Sequence, residues 1–212
     1  MITSRASFAH ILSDFVGSEL QQHLLDNRVL LSSVFYENSY GAILVAPMPA
    51  KQTPQKKLRI GWFTFSCCED STIVFTELLN DHWQEWKKLL DVRHARVLQT
   101  NNVLDQLDVA FVEGALNCQR HVDMVKEIRS KATKLVAIGA CACTGLPSTQ
   151  RNTFTKEQTE AIQPLLDKFA FLPKGQKLTE VVKVDAEVGG CPMDEKKFLA
   201  ALDAMLKEFK IV

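Results

Sequence analysis

The side chains best suited to chemistry in this 212-residue sequence are six cysteines, each expected in a loop that follows an apolar segment. Thiolates are soft ligands that suit iron–sulfur clusters and zinc. Zinc sites usually show local pairs such as Cys-x2-Cys, whereas these cysteines come from distant segments. The spacing therefore favours an iron–sulfur cluster, with a structural zinc as the alternative. The cysteines are Cys67, Cys68, Cys118, Cys141, Cys143 and Cys191.

Glycine and proline border several of these cysteines. A cluster needs backbone to approach its inorganic sulfurs and to donate N–H groups to them, and glycine permits that approach. Pro192 directly follows Cys191 and would stiffen its loop. Cys118 and Cys143 fit a simpler interpretation as small buried hydrophobic residues. The bordering glycines are Gly114, Gly139, Gly145, Gly189 and Gly190.

Composition excludes several function classes. Lys+Arg and Asp+Glu balance at 25 each, so the basic excess of a nucleic-acid-binding protein is missing. No apolar run reaches the roughly 18–20 residues of a membrane helix. The N-terminus lacks the charged-then-apolar order of a secretory signal. We therefore expect a cytoplasmic chain with no membrane span, in which a disulfide framework would not persist.

The elements that must position the cysteines alternate between strand and helix after residue 57. Fully apolar strands separated by amphipathic helices predict a parallel sheet with helices on both faces. The carboxyl ends of such strands meet at one edge, where open α/β sheets bind their ligands. The predicted strands are 58–65, 96–98, 109–112, 135–138 and 181–184, and the predicted helices include 76–90, 122–129 and 195–209.

The N-terminal part is predicted to be a small α+β appendage with its linker, over residues 1–57. Helix-like spacing covers residues 8–25, and residues 29–36 and 42–46 are predicted strands. Pro47, Pro49 and Pro54 follow among Lys and Gln, which is typical of an extended linker because proline fixes φ and removes a donor. The main domain is predicted to span residues 58–212.

Four short motifs in the main domain resemble the small-subunit family of nickel–iron hydrogenases and the related cluster-bearing 20 kDa subunit of respiratory complex I. The likeness covers residues 58–212, and the four motifs occur in the family's order. Together they are specific, although any one alone would be weak. They are Ser66-Cys67-Cys68-Glu69-Asp70, Val112-Glu113-Gly114, Gly139-Ala140-Cys141-Ala142-Cys143-Thr144-Gly145 and Gly190-Cys191-Pro192.

The resemblance implies a flavodoxin-like fold and one [4Fe–4S] cluster. It implies an oxidoreductase subunit that transfers electrons and is active only beside a hydrogenase-type large subunit holding a nickel–iron site. Further iron–sulfur or flavin subunits would carry the remaining centres. A complex I-type module with a quinone-site partner is one alternative. A flavodoxin-like binding module with a structural metal is the other.

The resemblance also implies which residues bind the cluster. Cys67, Cys141 and Cys191 take the family's ligand positions. A hydrogenase-like alignment makes Asp70 the fourth ligand, whereas the tandem cysteines of complex I relatives make it Cys68. Both alternatives stay open, and the softer thiolate of Cys68 is slightly favoured. Glu113 is implied to lie at the cluster or at the partner interface.

Overall fold

A computed structural model describes residues 56–212 and, before them, only the backbone of two short antiparallel strands, β1 (Tyr36–Glu37) and β2 (Ile43–Leu44). The chain divides into two compact units, Met1–Thr53 and Pro54–Val212. The predicted helices over 8–25 and most of the predicted strands over 29–46 lie outside the described residues. The domain boundary after residue 57 stays a prediction.

The main unit is built on a five-stranded sheet in which every neighbouring pair is parallel, in the order β4-β3-β5-β7-β9. A separate antiparallel pair joins β6 to β8. The predicted flavodoxin-like α/β fold is thereby confirmed. The strands are β3 (Leu58–Thr64), β4 (Leu90–Ala95), β5 (Leu107–Glu113), β6 (Leu116–Cys118), β7 (Ala132–Ile138), β8 (Phe171–Gln176) and β9 (Ala186–Val188).

Within residues 56–212, five helices accompany the sheet, and apolar cores lie on both of its faces, as predicted. On one face, an aromatic cluster forms where Trp62 stacks on Phe75 at 4.3 Å between ring centroids and Phe198 packs edge-on against both. The other core includes Val125 and Ile128. The helices are α1 (Asp70–Leu89), α2 (Gln119–Lys131), α3 (Gly139–Thr144), α4 (Lys156–Lys168) and α5 (Glu195–Glu208).

Two strand predictions are wrong. Residues 96–98 form a turn in which the Leu98 N–H donates to the carbonyl of Ala95, and Val97 is exposed. Residues 181–184 follow a 3-10 turn, where the N–H groups of Val181 and Val182 both donate to one carbonyl. In each case the neighbouring segment forms the paired strand, over residues 90–95 and 186–188. The β-branched residues of the predicted segments therefore lie beside the sheet and not in it.

The parallel register aligns the carboxyl ends of four strands in one row. A cysteine stands three residues beyond three of these ends, namely Cys67, Cys141 and Cys191. The strand order reverses between β3 and β5, which is the place where open α/β sheets bind ligands. The sheet itself therefore brings the three cysteines to one crevice. The aligned ends are Thr64, Glu113, Ile138 and Val188.

Candidate metal centre

One pocket at this edge of the sheet contains all five residues predicted to bind the cluster. The pocket is narrow, with a cavity volume of about 10 Å³, and part of it opens to solvent. Four thiols and two carboxylates line it, and the ligand role of the thiols and of Asp70 stays a prediction. These side chains belong to Cys67, Cys68, Asp70, Glu113, Cys141 and Cys191.

Hydrogen bonds tie the segment that carries Cys191 to the other two cysteine segments. The N–H of Ala140 donates to the carbonyl of Gly190 at 2.7 Å. The N–H of Met193 donates to Oγ of Ser71, which begins the buried face of α1, at 3.2 Å. Three segments far apart in sequence are thus held in fixed relation around the pocket.

Two glycines make this close packing possible. Gly190 has φ of 120°, and a Cβ there would lie 2.4 Å from the carbonyl oxygen of Pro192. Gly139 has φ of 77°, and its Cβ would lie 2.9 Å from Oγ of Ser71. Both backbone conformations are ones that residues with side chains rarely adopt. The glycines predicted to flank the cysteines therefore shape the walls of the pocket.

The environment of Cys67 disfavours a bare thiolate. Burial, together with the nearby carboxylate of Glu113, raises the pKa of its thiol to about 12. The Cys67 Sγ lies 3.8 Å from the carbonyl of Phe65, which a thiol can donate to and a thiolate cannot. A positively charged metal centre would reverse this balance, because metals bind thiolates and displace their protons.

Glu113 is buried at the end of β5 and is not the solvated loop residue that its position near a turn could suggest. Its carboxylate accepts a hydrogen bond from the N–H of Ser71 at 3.1 Å and from the hydroxyl of Thr72 at 2.7 Å. Thr72 in turn accepts from the indole N–H of Trp62 at 2.8 Å. The carboxylate thereby fixes the first turn of α1 over the pocket.

Cys68 and Asp70 both face the more open side of the pocket. Glu69 between them has a left-handed backbone, with φ of 66°, which turns the chain into α1. The N–H of Asp70 lowers the pKa of the Cys68 thiol, but the Asp70 carboxyl and burial together raise it above its ordinary value. The two candidates for the fourth ligand therefore lie near each other at the pocket, and the geometry leaves both open.

The remaining cysteines differ in their surroundings. Cys141 is 6% exposed, and its Sγ accepts a hydrogen bond from Oγ of Ser148 at 3.2 Å. The Cys143 Sγ lies 3.7 Å from the carbonyl of Ala137, and burial raises the pKa of this thiol to about 11. Cys118 is half-buried at the end of β6, and neither it nor Cys143 lines the pocket.

The prediction that every cysteine lies in a loop is wrong for three of them. Cys118 is the last residue of β6, and Cys141 and Cys143 lie within α3. The reason is that α3 begins directly at the end of β7, without an intervening loop. Sequence reasoning also missed Ser71, which bonds to Met193 far along the chain, and Ser148, which contacts Cys141 from the segment after α3.

The thiols line the pocket without converging on one point. Within residues 56–212, no three cysteine, histidine, aspartate or glutamate side chains are grouped so that they could hold a single metal ion. Each iron of a [4Fe–4S] cluster takes its own thiolate, so cluster ligands stand further apart than the four ligands of one zinc ion. The chemistry of the donor set fits a cluster.

Comparison with known proteins identifies the family. Residues 67–205 match the family described as "NADH ubiquinone oxidoreductase, 20 Kd subunit". The chain belongs to this family. It is the family shared by nickel–iron hydrogenase subunits and the complex I 20 kDa subunit, so the resemblance drawn from the four motifs is confirmed.

The curated relatives that this chain resembles include hydrogenase subunits. Coenzyme F420 hydrogenase subunit gamma of Methanosarcina barkeri is 30% identical over 147 residues, which cover 64% of this chain and 49% of that subunit. NAD-reducing hydrogenase HoxS subunit delta of Cupriavidus necator is 20% identical over 166 residues, covering 71% and 79%. The chain thus spans about half the length of the first of these relatives.

A solved structure shares the fold of the main unit. It is described as NAD+-reducing [NiFe]-hydrogenase in the H2-reduced state, with a TM-score of 0.61 and 22% identity, and the match covers 72% of this chain and 93% of that one. Among the residues that our structure describes, no helix has both the length and the apolar character required to cross a membrane.

Proposed function

We propose that this chain is the electron-transfer small subunit of a hydrogenase-like complex. It would carry one [4Fe–4S] cluster on Cys67, Cys141, Cys191 and either Cys68 or Asp70, beside a large catalytic subunit that holds a nickel–iron site. The observation that carries the proposal is the in-register row of strand ends, with a cysteine three residues beyond three of them, all in one pocket.

The residues divide the proposed site into an inner and an outer side. When bound, an iron–sulfur cluster takes up and releases single electrons. Cys67 and Cys141 would hold its inner side, where Cys141 is buried and Cys67 is half-buried. Cys68, Asp70 and Cys191 are exposed, so the outer side is accessible. Electron exchange requires a second centre close by, which supports a partner docked against this outer side.

The test is purification of the complex from its native host without oxygen, followed by iron, sulfide and nickel analysis and a hydrogen-uptake assay. We expect co-purification with a large subunit that contains nickel, together with iron and sulfide in this chain. A stable monomer that holds a full cluster and has no large partner would contradict the subunit proposal. The cytoplasmic location stays a prediction, which fractionation of the host cells would check.

The complex I-type module is the second candidate, because residues 67–205 match a family named for that subunit and because Cys67 and Cys68 are adjacent. Nickel analysis separates the two candidates. A co-purifying partner without nickel, in a complex that reduces a quinone, would favour the second. Both candidates require the same cluster, so this measurement decides the partner and leaves the ligand assignment intact.

Replacing Asp70 with cysteine tests the choice of the fourth ligand. Asp70 lies at the pocket, within reach of the cluster even if Cys68 is the ligand, so we expect Asp70→Cys to keep the cluster and to shift its reduction potential. The measurement is a redox titration followed by EPR, beside iron analysis of Cys68→Ser. If Cys68 is the ligand, as we favour, Cys68→Ser loses iron. An unchanged signal and potential in Asp70→Cys would exclude Asp70 from contact with the cluster.

A further inference from the structure

We propose that Ser148 tunes the reduction potential of the cluster by donating a hydrogen bond to Sγ of Cys141. This inference rests on the proposed function, because it needs the cluster and the ligand role of Cys141. The Ser148 Oγ lies 3.2 Å from that sulfur. A thiolate bound to iron has no proton, so the hydroxyl must be the donor of this hydrogen bond.

Ser148 is held in place by groups on other segments. Its carbonyl accepts a hydrogen bond from the side-chain amide of Asn117 on β6 at 3.3 Å. The Oδ1 of Asn117, a buried residue, accepts from the guanidinium of Arg151 at 2.8 Å. Arg151 also donates to the carbonyl of Leu172 on β8 at 3.0 Å. The antiparallel β6–β8 pair thus supports the segment that presents the hydroxyl to Cys141.

The direction of the effect follows from charge. Reduction adds one negative charge to the cluster, and part of that charge resides on the ligand sulfurs. A hydrogen bond to a ligand sulfur stabilises the more negative form, and such bonds are among the factors that set cluster potentials. Loss of the hydroxyl therefore lowers the potential, while the sulfur itself remains available as a ligand.

The test uses the complex purified without oxygen, in which the EPR signal that disappears in Cys141→Ser marks this cluster. Ser148→Ala and Ser148→Val should keep the iron content of the wild type and shift the midpoint potential to more negative values. Ser148→Thr has the shape of the valine variant but retains the hydroxyl, and it should keep the wild-type potential. Thr144→Ala is the matched control.

The Thr144→Ala control removes a nearby hydroxyl, and that hydroxyl contacts no sulfur. Among the residues that the structure describes, the Thr144 hydroxyl bonds only to backbone groups of Ala140 and Leu146, so its loss should leave the potential unchanged. Equal potentials in the wild type and in both hydroxyl-free Ser148 variants would overturn the inference. So would an equal shift in Thr144→Ala. Iron loss in both hydroxyl-free variants would assign Ser148 a structural role instead.

The same measurements keep the two proposals apart. If the wild-type complex contains no iron and sulfide in this chain, the proposed function fails and the tuning role fails with it. If the wild type holds the cluster and the Ser148 variants leave its potential unchanged, the tuning role alone is overturned and the cluster assignment stands.

Discussion

Iron and sulfide should be lost from the protein when Cys141 is replaced by serine. Cys141 lies three residues beyond the end of β7 and is buried beside the pocket. Serine is a harder donor than a thiolate, so losing this direct ligand should weaken iron retention by roughly 10-fold or more. The measurement is iron and sulfide content after purification without oxygen.

Cys143→Ser is the matched control for this variant. Cys143 lies in the same short helix and is also buried, but its sulfur faces the carbonyl of Ala137 and the second apolar core. Serine retains the donor, so we expect iron content equal to the wild type and a stability loss of about 1 kcal/mol. Equal iron retention in Cys141→Ser and Cys143→Ser would reject Cys141 as a ligand.

The sequence predicts the fold where hydrophobic pattern and tertiary structure agree. The strand predicted over 135–138 is the buried half of β7, because four apolar residues in succession suit a strand covered on both faces. The strand prediction over 181–184 is wrong. A turn continues past Leu178 there, and its valines pack at the edge of the core that includes Val125 and Ile128. Local propensity does not distinguish these two uses of β-branched residues.

The sequence predicts which residues share the candidate site, but not how their side chains are arranged or held there. Cysteines that follow apolar segments predict a shared edge, because parallel strands end on one side of a sheet. The contacts that hold the site together could not be predicted. Ser71 bonds across 122 residues to Met193, and Ser148 contacts Cys141 from the segment after α3, which Asn117 of β6 helps to hold. Such pairings depend on register, which no local spacing encodes.

Glu113→Ala should lower the stability of the protein more than most single substitutions. The carboxylate accepts from the N–H of Ser71 and the hydroxyl of Thr72 in a buried environment. Alanine leaves these donors without their partner, and a buried unsatisfied donor costs about 1–3 kcal/mol. We expect the free energy of unfolding to fall by about 3 kcal/mol, measured by chemical denaturation, and iron content to fall as α1 loses its anchor.

Glu113→Gln separates the hydrogen bonds from the charge. The amide oxygen can accept from the N–H of Ser71, and its NH2 can donate to the Thr72 hydroxyl, which has a second lone pair beside the one that Trp62 uses. We therefore expect a stability loss below about 1 kcal/mol and near wild-type iron content. If the glutamine and alanine variants were equally unstable, the negative charge would be the essential property, and our account of the network would be wrong.

Asp108 at the opposite end of β5 provides the control for position. Burial would raise the pKa of this carboxyl, but hydrogen bonds and the positive charge of Arg59 outweigh it and hold the pKa below its usual range. Asp108→Asn should weaken that ion pair and lower stability while leaving iron content unchanged, since Asp108 does not line the pocket. Iron loss in Glu113→Ala without iron loss in Asp108→Asn would show that the carboxylate at the pocket serves the metal site itself. Equal iron loss in both would show that iron retention follows the stability of the sheet alone.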